Sequence, residues 1–255
     1  MYQVDLNSDL GESFGAYTIG LDGEVLRRVS SVNVACGYHA GDPLVMTRTV
    51  ALAKSAGAAC GAHPGFPDLM GFGRRALSCS PEEAKAYVQY QVGALAAIAA
   101  AQGVRLQHVK PHGALYNMAA KDPALAAAIA GGIAEVDREL ILMGLAGSAL
   151  IAAGQAAGLR TASEVFADRA YRADGTLVPR DQPGAVLHNP ETAIARTVRM
   201  VTEGVVTAVT GEEIAIRADS ICVHGDNPSA VEFVARIRAA LEAQGVSIVP
   251  VGRFV

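Results

Sequence analysis

The chain has 255 residues, enough to bury a large core, and 51% of them are hydrophobic while only 5% are aromatic. Ala, Val, Leu and Ile must therefore fill that core, as in parallel strands covered by helices. The net charge of −4 comes without a run of Lys or Arg, which disfavours binding to nucleic acid or to an anionic membrane.

Eight short apolar runs recur along the chain, and a stretch with helical periodicity follows most of them. Each run is about five residues long and rich in β-branched or small side chains, which is typical of buried strands. The predicted strands are Val4–Asn7, Ser31–Ala35, Ala58–Ala62, Leu106–Lys110, Leu140–Gly144, Thr161–Phe166, Ser220–His224 and Ser247–Val251.

The helices carry clear start signals. Ser80-Pro81-Glu82-Glu83 combines an N-cap serine, a first-turn proline and a glutamate three residues after the cap, and the helix should end at Gly103. Asn189-Pro190 and Asn227-Pro228 start two further helices. The uncharged segment 140–159 is broken by glycines, so we expect a strand, a turn and a short helix there instead of a membrane span.

Seven or eight β/α units predict a single domain, residues 1–255, folded as a distorted (β/α)7–8 TIM-like barrel. An open doubly wound sheet is the alternative. Two segments, Arg172–Pro179 and Val205–Ile216, interrupt the alternation and read as β-hairpins. The four cysteines show no CxxC spacing, and the acidic N-terminus does not resemble a signal peptide, so we expect a cytoplasmic protein with reduced thiols.

Polar residues follow the predicted strands, where parallel α/β folds place their active sites. Five of the six histidines belong to these segments, although any one of them alone would be weak evidence. The segments include Asn7–Glu12, Asn33–Asp42, Gly61–Asp68, His108–Asn117 and Cys222–Asn227.

These segments also carry a resemblance to a known family. DLNSDLGE, NVACGYHAGDP, GAHPGFPDLMGFGRR, HVKPHGALYN, EVFADRAY, DGTLVPR and ICVHGDNP resemble, in order and over essentially the whole chain, the motifs of the LamB/YcsF family. The resemblance implies a barrel related to the glycoside hydrolase/deacetylase superfamily. It also implies work with two partner subunits, B and C, to open the 5-oxoproline (pyroglutamate) lactam to L-glutamate at the expense of ATP.

Opening a lactam needs a placed water, a proton for the leaving nitrogen and cations for negative charge. Asp9 is the first candidate for a base or metal ligand, and His39 and His63 could share either role. Lys110 and Arg74 are candidates for oxyanion, phosphate or carboxylate binding, and His112 for protonating the leaving amine. The rim of the site is expected to include Glu164, Asp168 and His224. The chain has no P-loop or kinase signature, so the ATP chemistry is expected mainly on the partners.

Several alternatives stay open. Asp9 and Asp42 could be turn or N-cap residues, and Glu12, Asp68 and Asp226 could be structural. Cys36 is a weak candidate nucleophile. Asp9, His39 and His63 are ligand types of a two-histidine, one-carboxylate metal site, but no HxxxH or HExxH spacing supports one. The alternative functions are a stand-alone metal-dependent deacetylase or amidohydrolase, and a non-catalytic lactam-binding subunit.

Overall fold

The computed structural model describes residues 2–223 and 228–255. Within these ranges the strands are β1 (Gln3–Leu10), β2 (Ser31–Ala35), β3 (Ala59–His63), β4 (His108–Val109), β5 (Ile141–Leu145), β6 (Thr161–Phe166), β7 (Val205–Thr207), β8 (Glu213–Ala215), β9 (Ser220–Cys222) and β10 (Ser247–Ile248). The helices are α1 (Asp22–Val25), α2 (Pro43–Ala56), α3 (Pro81–Ala101), α4 (Gly113–Ala119), α5 (Pro123–Val136), α6 (Ala149–Ala156), α7 (Pro190–Thr202) and α8 (Pro228–Ala243).

Seven parallel strands close into a barrel in the order β1-β2-β3-β4-β5-β6-β9, and β9 pairs back onto β1. This closure confirms the predicted barrel and excludes the open sheet. The last predicted strand does not join the ring, because among the residues described β10 pairs only with Gln3 and Val4 at the start of β1. The barrel is therefore a seven-stranded one.

The interior of the barrel is polar and layered. Strand alternation puts Asp5, Asn7 and Asp9 of β1 on one face, while Val4 and Leu6 pack in the hydrophobic core. The Nδ2 atom of Asn7 donates to Oε1 of Glu164 at 3.0 Å, although β1 and β6 are not neighbours, so this contact crosses the barrel. Three polar layers thus lead from the bottom of the barrel to its mouth.

The helix signals correspond to observed caps. Ser80 and Glu83 form the expected capping box at the start of α3, and Asn189 caps α7. Asn227, the third expected cap, lies outside the described residues. The segment 140–159 forms β5, a turn and α6 as expected, and none of the helices described here has the length and hydropathy to span a bilayer.

The two predicted hairpins differ in regularity. Val205–Thr207 and Glu213–Ala215 pair antiparallel as β7 and β8. The other segment turns at Gly175 as expected, but its pairing is reduced to a single bridge between Tyr171 and Leu177.

Candidate active site

A small, solvent-open pocket lies at the carboxyl ends of the barrel strands. Its lining includes Asp9 and Glu12 after β1, His63 at the end of β3, and Lys110 and His112 after β4. Parallel strands bring these residues together because their carboxyl ends meet at one mouth. Four of the predicted catalytic residues, Asp9, His63, Lys110 and His112, therefore line one pocket.

The ammonium group of Lys110 lies at the floor of the pocket between two carboxylates. Its Nζ atom is 2.9 Å from Oδ1 of Asp9 and 2.8 Å from Oε1 of Glu164. It also donates to Oδ1 of Asn7 at 3.1 Å and lies 3.3 Å from Sγ of Cys222. The three N–H bonds of the ammonium thus have acceptors within the protein.

These contacts fix the charges of the group. Burial raises the pKa of the Asp9 carboxyl, but the interactions with His63 and Lys110 outweigh it and hold the pKa well below its ordinary value. Burial lowers the pKa of Lys110, but the carboxylate of Asp9 outweighs that effect and the pKa is raised well above its ordinary value. Asp9 is therefore an anion and Lys110 a cation at neutral pH.

His63 and His112 face each other across the pocket. Nδ1 of His63 lies 2.7 Å from the carbonyl oxygen of Lys110, and Nε2 of His112 lies 2.8 Å from that of Phe72. The remaining nitrogens, Nε2 of His63 and Nδ1 of His112, are 3.0 Å apart. Nε2 of His63 is also 3.3 Å from Oδ2 of Asp9.

His39 completes this group from the loop after β2. Its ring stacks on that of His112, with centroids 3.6 Å apart and planes 1° from parallel, and its Nε2 atom is 3.4 Å from Oε1 of Glu12. Burial and the neighbouring His63 hold the pKa of His39 well below its ordinary value. Burial and the neighbouring His39 likewise hold the pKa of His112 well below its ordinary value.

The loop that covers the histidines is conformationally strained. Phe72 has a φ of 54°, a left-handed conformation that is rare for an aromatic residue. Its ring packs edge-on against His39 and His112, and its carbonyl accepts the His112 hydrogen bond. Backbone strain of this kind persists where the surrounding contacts hold it, and it clusters at functional sites.

The residues expected at the rim have different positions. Arg74 lines the pocket and lies over the ring of Phe72. Glu164 is fully buried below the pocket, where it accepts from Tyr116 and pairs with Lys110. Asp168 is half-buried and lies outside the lining that the described residues form. His224 lies outside the described residues.

A structural role was left open for several aspartates, and the structure shows such a role for Asp42 and Asp68 but not for Asp9. Asp42 caps α2 by accepting from Leu44 and Val45, and Asp68 pairs with Arg75. Cys36 is buried, and burial raises the pKa of its thiol to about 12, which makes it a poor nucleophile.

Sequence reasoning passed over several residues of this site. Glu12 was expected to be structural but lies against His39, and Asn33 donates to both Asn7 and Asp9. The signal for this layer was the alternation of Asp5, Asn7 and Asp9 in the first strand, which puts three polar side chains on one face.

The fold and the site together define a parallel barrel with a mouth rich in histidines and carboxylates. The sequence model of the LamB/YcsF family matches residues 4–255, and the chain belongs to that family. It is 59% identical to a protein of Clostridium beijerinckii that is named as the A subunit of 5-oxoprolinase, over 100% of both chains. It is 58% identical to a protein of the same name from Thermococcus onnurineus, over 99% of each chain.

A solved structure shows the same architecture. The crystal structure of the lactam utilization protein from Thermus thermophilus is 49% identical in sequence and superimposes with a TM-score of 0.91. The match covers 97% of this chain and 99% of that one. The arrangement described above therefore lies within a fold already solved for a similar protein.

Proposed function

We propose that this chain is the A subunit of an ATP-dependent 5-oxoprolinase, and that its barrel mouth opens the lactam of 5-oxoproline to give L-glutamate. The observation that carries the proposal is the end-to-end match, at 59% identity, to a protein named as that component of 5-oxoprolinase. The similar solved structure is that of a lactam utilization protein, and this name supports the same substrate class.

The pocket offers an anchored carboxylate for the attacking water. Lys110 and Asn33 both donate to Oδ1 of Asp9, which fixes the orientation of the carboxyl group and leaves Oδ2 towards His63. A water bound at Oδ2 would be oriented towards the ring carbonyl carbon of the lactam. Water adds to that carbon, the ring C–N bond breaks, and the released nitrogen takes the proton.

Arg74 is the cation best placed to bind the substrate's own charge. Its guanidinium group is exposed to solvent at the pocket and can hold a carboxylate or phosphate in a bidentate manner. Lys110 was expected to share this role, but its donors already face Asp9 and Glu164. We therefore assign Lys110 to positioning Asp9.

The role expected of His112 also changes with its contacts. A proton donor to the leaving nitrogen needs an N–H bond that points into the pocket, whereas the proton of Nε2 is bonded to the carbonyl of Phe72. We therefore do not assign the protonation of the leaving amine to His112.

We further propose that separate B and C subunits consume the ATP and activate the lactam by phosphorylating its oxygen. Opening of the phosphorylated ring by water then leaves an acyl phosphate, and a second water hydrolyses it to glutamate and inorganic phosphate. The absence of a P-loop or kinase signature from the sequence supports this division of labour. The name of the relatives, which designates one subunit of several, supports the existence of partners. The need for ATP favours a place in the cytoplasm.

The test mixes the purified chain with 5-oxoproline and ATP, with and without the B and C subunits, and follows glutamate release. Glutamate is expected only in the complete mixture. Release by the chain alone without ATP would favour a stand-alone amidohydrolase. Release by B and C at an equal rate without the chain would contradict the proposal.

A further inference from the structure

Two ring nitrogens at the pocket, Nε2 of His63 and Nδ1 of His112, face each other at hydrogen-bond distance. A carbonyl oxygen only accepts hydrogen bonds, so the ring proton of His63 lies on Nδ1, against Lys110, and that of His112 lies on Nε2, against Phe72. The nitrogens that remain, 3.0 Å apart, then both present lone pairs in the neutral rings. Such a pair needs a cation between them, either a proton or a metal ion.

Glu12 supplies an anionic oxygen beside the same pair. Its Oε1 atom lies 3.8 Å from Nδ1 of His112, and the donor atoms of Glu12, His39, His63 and His112 all lie within 4.8 Å of one another. Donor atoms that each lie about 2.0–2.1 Å from a tetrahedral ion are about 3.4 Å apart. The His63–His112 and His112–Glu12 separations, 3.0 Å and 3.8 Å, lie on either side of this edge length.

From this geometry we infer that His63 Nε2, His112 Nδ1 and Glu12 Oε1 bind one divalent transition-metal ion of the Zn²⁺ class. Two imidazoles and a carboxylate are ligands that suit such an ion. Both imidazoles donate their other N–H to a backbone carbonyl, which is the usual outer contact of metal-bound histidine. All three ligands line the pocket, so a remaining coordination position would face the substrate.

The ring orientations decide which histidines coordinate the ion. An imidazole lone pair lies in its ring plane, and the planes of His63 and His112 cross at 88°, so one point can lie in both. The stacked rings of His39 and His112 are parallel, and parallel planes share no point. His39 and His112 therefore cannot both coordinate the ion. His39 also crosses His63 at 89°, but unlike His112 it is not among the residues that line the pocket, so we assign it outside the coordination shell, as a positioning residue that donates from Nε2 to Glu12.

The experiment uses the full-length chain after chelation and dialysis, without substrate or partner subunits. Zn²⁺ is titrated by calorimetry, and Co²⁺ is added in parallel to record its visible absorption. We expect one ion per chain, tetrahedral Co²⁺ bands and a higher melting temperature with Zn²⁺. Because lactam is not involved, this result is independent of the proposed function.

Substitutions of the proposed ligands and of His39 test where the ion binds. His63→Ala and His112→Gln should each weaken Zn²⁺ binding at least about 100-fold, and Glu12→Gln and His39→Ala about 10–100-fold. His188→Ala is the matched control, since His188 is exposed and is not among the residues that line the pocket, and it should bind as the parent does. All these variants keep the four cysteines, so binding to thiols would survive in every one of them.

Circular dichroism of each metal-free variant checks that it is folded, and Glu12→Gln preserves size if a histidine variant fails to fold. Two results would overturn the inference. One is a folded parent chain that takes up no Zn²⁺, which would leave a shared proton between the two nitrogens. The other is Zn²⁺ uptake that is unchanged in both Glu12→Gln and His112→Gln.

Discussion

The free energy of unfolding of the protein should fall as pH rises through the titration range of Asp5. The residue is fully buried at the bottom of the barrel, where it accepts hydrogen bonds from Ser30, Ser31 and Ser220. Burial outweighs these bonds and raises the pKa of the carboxyl from 3.8 to about 6. The folded state therefore binds an additional proton between these two values.

The sign and size follow from linkage. A carboxyl whose pKa is raised in the folded state loses stability as pH rises from about 4 to about 6, and the loss is complete above that range. A difference of about two pKa units corresponds to about 3 kcal/mol in the free energy of unfolding. Asp5→Asn cannot ionise and should lack this contribution.

Urea unfolding followed by circular dichroism at pH 4, 5, 6 and 7 measures the effect for both proteins. The free energy of unfolding of Asp5→Asn, relative to the parent, should rise by about 2–3 kcal/mol from pH 4 to pH 7, most of the full difference. The other titrating groups are present in both proteins, so their contributions to the pH dependence cancel in this difference. A difference that stays constant across the range would refute the reasoning, because Asp5 would then titrate alike in both states.

Two further substitutions test the packing at the mouth. Lys110→Met removes the cation between buried carboxylates and should lower the free energy of unfolding by about 3–5 kcal/mol. The control, Lys85→Met, removes the cation of an exposed ion pair and should lower the free energy of unfolding by about 1 kcal/mol or less. A Cβ on Gly73 would lie 2.7 Å from Cβ of His39, while Gly175, also at positive φ, has open space. Gly73→Ala should therefore cost about 1–3 kcal/mol more than Gly175→Ala in thermal or urea unfolding, and equal costs would contradict the packing described.

The fold could be predicted because its signals are local. Short β-branched runs and well-capped helices indicated the strands and their order, and β2 and β6 have the predicted bounds. The fourth strand was predicted over five residues but pairs regularly over only His108–Val109. Backbone hydrogen bonds from Gln107 and Lys110 to β3, and from His112 to the carbonyl of Pro64 just after it, nevertheless extend the contact on either side.

For the site, the sequence predicted which residues lie close together but not what each of them does. Strand ends converge in a parallel barrel, which is why Asp9, His63 and Lys110 were found. Their roles depend on contacts that no local pattern encodes, such as the backbone carbonyl that orients His112. Glu164 lies two residues before the end of β6, so its side chain points into the barrel below the mouth.

The central claim is that the pocket around Asp9 opens the lactam, and the rate of glutamate release by the complete mixture of subunits tests it most directly. Asp9→Asn should lower that rate at least about 100-fold at saturating 5-oxoproline and ATP. Asp42→Asn, at a helix cap away from the pocket, should leave it unchanged. A folded Asp9→Asn protein that releases glutamate as fast as the parent would contradict the account.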